Sequence, residues 1–193
     1  MSQIQQSACL DAILSLLKLN KLDEAEGSAL KAISVYGKSS FILNLLGVIR
    51  IHRGKLEEAL IDLNRSIELD PYNHEPYINR GAIYTAQELD KHALDSYRSA
   101  LKLKTNHPLA LNNMGYIYER EGLIDTATEL YKKALRQDPH YEDALNNLGT
   151  LYAKNDRVRE GLLLIQRALT INPFGKSAHD NRCLASNYSS AIG

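Results

Sequence analysis

PLALNNMGYIYEREGLIDTATELYKKALRQDPHY, residues 108–141, is the stretch whose reading decides the fold. Within it Ala127, Leu130, Tyr131, Ala134 and Leu135 fall at i, i+3, i+4, i+7 and i+8, the spacing of one buried helical face. Gly122 can take the positive φ that ends a first helix, and Pro139 pushes the residue before it away from helical geometry and stops a second. Residues 108–141 therefore read as an antiparallel helix pair. One such pair cannot bury its apolar faces alone, so it needs similar units beside it.

Those units are present. In blocks of 34 residues Gly47, Gly81, Gly115 and Gly149 fall in one column, and a fixed period of this kind marks a repeat architecture. With blocks starting at Ser40, His74, Pro108 and Glu142, position four reads Leu43, Tyr77, Leu111, Leu145 and position eleven Arg50, Tyr84, Tyr118, Tyr152. Position twenty reads Ala59, Ala93, Ala127, Gly161, position twenty-four Leu63, Tyr97, Tyr131, Ile165, and position twenty-seven Ser66, Ala100, Ala134, Ala168. Pro71, Thr105, Pro139 and Pro173 close the blocks, and an earlier block, 6–39, matches only through Ala25 and Ala32 and reads as a divergent end repeat. Small residues at positions eight and twenty predict close approach of the two helices. The polar stretch after Phe174, with Lys176, His179, Asp180 and Arg182, reads as a capping helix over about 176–188.

These columns resemble the tetratricopeptide repeat (TPR) family. The resemblance implies an all-α fold, a right-handed superhelical solenoid of antiparallel helix pairs, in a single domain over residues 1–193 with repeats at about 6–39, 40–73, 74–107, 108–141 and 142–175. It also implies that the first helices line a concave groove for an extended peptide. Position six of those helices reads Leu45, Asn79, Asn113, Asn147. An Asn offers both donor and acceptor, so Asn79, Asn113 and Asn147 could grip a peptide backbone without reading its side chains. Asn112, Asn146 and the aromatic Tyr116 stand beside them as further peptide-binding candidates.

The ladder resembles that of O-GlcNAc transferase arms. Asn181, Arg182, Leu184, Ala185, Asn187 and Tyr188 are similar to the segment after the last repeat in SPINDLY-type glycosyltransferases. A substrate-recruiting arm without its catalytic domain is thus an alternative to a plain interaction scaffold, and self-assembly through end repeats is a third reading. The family's carboxylate clamp for chaperone tails is not met. Around Asn79 its cationic places hold Asn44, Leu109 and Asn113, and around Asn113 they hold Ile78, Asp143 and Asn147.

Composition agrees with a protein-binding role. Lys plus Arg and Asp plus Glu are 23 each, so no excess positive charge exists to neutralise nucleic-acid phosphates or an anionic membrane. No apolar run is long enough to span a bilayer, and the N-terminus has no basic opening of a secretory signal. Cys9 and Cys183 read as free thiols of a cytoplasmic chain. The six histidines have no metal-ligand spacing, and no nucleophile elbow or phosphate-binding loop occurs. No metal, cofactor or catalytic residue is expected, and the protein is expected not to be an enzyme. Glu57, Glu58 and Asp62 read as a solvated helix face.

Overall fold

The computed structural model describes residues 3–174, together with Asp180 and Cys183. Ten α-helices and no strands are found among the described residues. They fall into two compact units, residues 1–103 and 104–193. The first holds α1 (Gln3–Lys18), α2 (Leu22–Tyr36), α3 (Ser40–His52), α4 (Leu56–Leu69), α5 (Glu75–Ala86) and α6 (Asp90–Leu103). The second holds α7 (Pro108–Arg120), α8 (Ile124–Gln137), α9 (Glu142–Lys154) and α10 (Val158–Ile171). The expected capping helix falls almost entirely outside the described residues.

Each repeat is one helix pair, and the turn inside the pair has a fixed backbone solution. Position fifteen is left-handed in all five blocks: Asn20, Gly54, Glu88, Gly122 and Asp156 have φ of 56°, 74°, 58°, 79° and 59°. Glycine does this without a Cβ penalty and Asn or Asp with a small one; at Glu88 it comes with the same local closure as at the glycines, the Leu89 N–H donating to the Tyr84 carbonyl at 2.9 Å. Asn20 in block 6–39 has the same left-handed turn as the later blocks. Its Ala25 and Ala32 are buried on α2, and Ile13 of α1 is fully enclosed with them against Ile42, Leu46 and Ile49 of α3.

Inside the pairs, the glycine at position eight faces the residue at position twenty-four. A Cβ on Gly47 would stand 2.8 Å from Leu63, one on Gly81 2.5 Å from the Tyr97 ring, and one on Gly115 2.8 Å from the Tyr131 ring. In these three repeats the small residue makes room for a large side chain. In the last repeat the tight contact is with backbone: a Cβ on Gly161 would lie 2.5 Å from the carbonyl oxygen of Gly149.

The tyrosines that fill the glycine notches carry a hydroxyl into the core, and buried hydroxyls need partners. The Tyr97 hydroxyl is 3.0 Å from the Thr85 hydroxyl, and the Tyr131 hydroxyl donates to Glu119 Oε2 at 2.9 Å. Thr85 and Glu119 share position twelve. Where position twenty-four is Leu63 or Ile165, that place is apolar, Ile51 or Ala153. Burial, with the Glu119 charge and hydrogen bond in support, pushes the Tyr131 phenol far above its ordinary range.

Arg50 departs from the tyrosines of its column because it joins three helices of the first unit. From α3 its guanidinium reaches Glu26 on α2 at 3.1 Å and Asp62 on α4 at 2.6 Å, with Glu58 at 3.3 Å. Arg53 also binds Glu26, and Lys55 does so at 3.2 Å. Asp62 is 3% exposed, which corrects the expectation of a solvated carboxylate there, although Glu58 stays at the surface. Burial would raise the Glu26 carboxyl, but hydrogen bonds from Arg50 and Lys55 and the nearby Lys55 and Arg53 charges bring it below the ordinary range. At Asp62 burial outweighs Arg50, and the carboxyl is raised.

Candidate functional site

The first helices of successive repeats touch within each unit, α3 with α5 and α7 with α9. Positions five and six are adjacent on such a helix, so one points into the seam between helices while the other stands at its rim. Asn44 and Asn112, at position five, are 3% and 4% exposed. Asn79, Asn113 and Asn147, at position six, are half-buried. Leu45, which opens the same column, is buried in the core of the first repeats.

The amides are joined across the repeats. Asn79 Nδ2 donates to Asn44 Oδ1 at 2.9 Å, and Asn147 Nδ2 donates to Asn112 Oδ1 at 3.0 Å. Position six of one repeat thus meets position five of the repeat before it. Asn112 Nδ2 in turn donates to Asn113 Oδ1 at 3.3 Å. Asn112 and Asn146, grouped with the ladder in sequence, lie deeper than a direct peptide contact requires: Asn146 is 5% exposed. Asn44, which stands at position five outside the ladder column, is as much a part of the arrangement as Asn112. The signal was present in the sequence as Asn recurring at position five, but only packing shows which repeat it serves.

Tyr116 lies on α7 one turn beyond Asn113 and is 46% exposed, with the Arg120 guanidinium 5.8 Å from its ring centre. Three residues further, Glu119 accepts from Tyr131 and pairs with Lys154 of α9 at 3.6 Å. The second unit therefore presents amides, an exposed aromatic ring and both signs of charge on its first helices. Such a surface can hydrogen-bond a polypeptide backbone and offer an apolar anchor.

A cleft of about 610 Å³ opens beside α9 and α10, lined by Leu148, Tyr152, Leu163, Leu164 and Arg167 among others. Asn113 and Asn147 are not among its lining residues. Among the described residues no three His, Cys, Asp or Glu side chains stand close enough together to hold a metal ion, and no helix is long and apolar enough to cross a membrane. Cys9 and Cys183 are free thiols.

Three family models described as tetratricopeptide repeat match residues 10–74, 108–141 and 130–162, between them more than half of the chain. Among solved structures, TTC0263, a thermophilic TPR protein of Thermus thermophilus, is 20% identical over 97% of this chain and 98% of its own, with a TM-score of 0.77. YrrB, described as a TPR protein with an unusual peptide-binding site, is 21% identical over 94% of this chain and 90% of its own, at 0.62. The MamA protein is 22% identical over 90% and 94%, at 0.65. At such identities the likeness establishes the fold. No curated protein matches the sequence.

Proposed function

Because this chain belongs to the tetratricopeptide-repeat family, we propose that it is a non-catalytic interaction scaffold holding an extended segment of a protein partner along its first helices. The observation that carries this reading is the recurrence of a half-buried Asn at position six, at Asn79, Asn113 and Asn147, where a duplicated core position would be apolar. Asn inside a helix costs up to about 0.7 kcal/mol against Ala, a cost that the inter-repeat bonds of Asn79 and Asn147 offset in part and that peptide binding would offset further. Spacing by repeats suits a ligand whose own hydrogen-bonding groups repeat, which is a polypeptide backbone. Tyr116 would add an anchor of low conformational entropy. The unusual peptide-binding site ascribed to YrrB, a protein of the same fold, favours the same class of ligand.

The test is binding by the full chain and by its Asn79→Ala, Asn113→Ala, Asn147→Ala triple variant, after circular dichroism has established equal helicity. The probe is a peptide selected on the wild-type chain from a random library. Loss of about tenfold or more is expected from removing even one net hydrogen bond of about 1.4 kcal/mol. Equal binding by the folded triple variant overturns the reading. The alternative of a glycosyltransferase's substrate-recruiting arm is favoured by the ladder and by the resemblance at Asn181, Arg182 and Leu184, which lie outside the described residues. It requires that proteins captured through the ladder be substrates of such an enzyme.

A further inference from the structure

The two inter-repeat amide bonds have the same direction. In each the buried partner accepts and the half-buried ladder residue donates. An exposed Asn has a broad terminal torsion and presents oxygen or nitrogen almost indifferently. Asn79 and Asn147 have less of this freedom while Asn44 and Asn112 present their oxygens to them. Turning either carboxamide half a turn would set two oxygens against each other across the seam and leave a buried acceptor unsatisfied, which disfavours the flipped state by about tenfold or more. In the second unit the direction is held a second time. Asn112 gives its own N–H to Asn113 Oδ1, so it cannot turn to become a donor toward Asn147 without losing that bond as well.

We propose that Asn44 and Asn112 are positioning residues: by accepting an N–H from Asn79 and Asn147 they hold each ladder Oδ1 as an acceptor for a backbone N–H of the bound segment. The inference rests on the peptide-binding reading above and deepens it. The ligand chemistry it selects at each of the two ladder residues is an extended strand that offers a free backbone N–H. A segment with proline or an N-alkylated residue at the same register is excluded, because it has no proton to give.

Two measurements test this. In the free full-length chain, nuclear magnetic resonance of the side-chain amides should show one slowly exchanging, downfield Nδ2 proton for Asn79 and one for Asn147. Asn44→Leu should speed exchange about tenfold at Asn79 alone, and Asn112→Leu at Asn147 alone. Ladder amides that exchange freely in the wild type overturn the proposal without any ligand, and whether or not the Leu variants fold. The second measurement uses the library-selected peptide and analogues of it N-methylated at single backbone positions. Wild type should lose about tenfold toward at least one analogue, and that ratio should fall toward one in the folded Leu variants. Asn44→Asp, which keeps the acceptor, should restore it in the first unit. A merely structural role would weaken parent and analogue alike and leave the ratio unchanged, which overturns the proposal. Analogues that bind wild type as tightly as the parent, while the Asn79, Asn113, Asn147 triple Ala variant loses binding, overturn it and leave the peptide-binding reading standing. Failure to select any peptide, or a triple variant that binds like wild type, overturns both.

Discussion

Gly161→Ala separates sequence logic from structural logic by the sign of its effect. Position twenty is Ala in all four preceding blocks, and Ala in a helix interior is favoured over Gly by about 1 kcal/mol, so column and propensity together predict a more stable protein. The structure predicts the reverse. The added Cβ would lie 2.5 Å from the carbonyl oxygen of Gly149 and 2.9 Å from the amide nitrogen of Ala153. Both are backbone atoms of α9, so no side chain can rotate aside and the helices must separate. Overpacking of this kind costs about 1–3 kcal/mol, and at backbone contact the upper part of that range applies. Subtracting the propensity gain leaves a net loss of about 1–2 kcal/mol. Urea unfolding followed by far-ultraviolet circular dichroism should show a lower midpoint, with amide exchange accelerated first in α9 and α10, since repeat units can loosen locally. Ala127→Gly, in a repeat where Tyr131 fills the space between the helices, should lose about 1 kcal/mol by propensity. An unchanged or raised midpoint for Gly161→Ala would refute the packing argument.

Arg50→Leu should cost about 3 kcal/mol at neutral pH, because it strands the buried carboxylate of Asp62 and removes one of three cations from Glu26. In the wild type the Glu26 contribution is present above its ordinary pKa of 4.5 and is lost as pH falls below it, whereas the raised Asp62 carboxyl is a cost that protonation relieves. With Arg50 gone both carboxyls rise, so the gap in unfolding free energy between variant and wild type should narrow as the solution is acidified; a gap independent of pH would refute this assignment. Tyr131→Phe should lose about 1–2 kcal/mol in denaturant unfolding by removing the hydroxyl bond to Glu119. In wild type the raised phenol contributes stability that is full below its ordinary pKa of 10.0 and is lost only as pH climbs through the folded value, so one tyrosine should stay un-ionised until the chain unfolds. Complete phenol ionisation in the folded protein would refute it.

The repeat boundaries were legible because helical period and turn chemistry are local. Apolar residues at 3.6-residue spacing bury one face wherever they occur, and Gly54, Gly122 and Pro139 act on their own backbone. The turn at Asn20 was not read, because its block matches the columns only through Ala25 and Ala32. Glu88 was not legible, because nothing about a glutamate announces a positive φ. The same division runs through the candidate site. Asn79, Asn113 and Asn147 were visible as a column, and Tyr116 as an aromatic beside it.

What the sequence by itself determined is the all-α repeat, the length of its unit, and the set of amides that recur in phase, since each depends on residues close together along the chain. What only the tertiary structure decided is which of those residues meet: Asn44 with Asn79, Asn112 with Asn147, Arg50 with Glu26 and Asp62, and Gly161 with the backbone of Gly149. Periodicity places a side chain on a face. Only the packing of one helix against another sets what lies opposite it, whether it keeps its water, and so whether the same Asn is an exposed polar residue or a fixed acceptor.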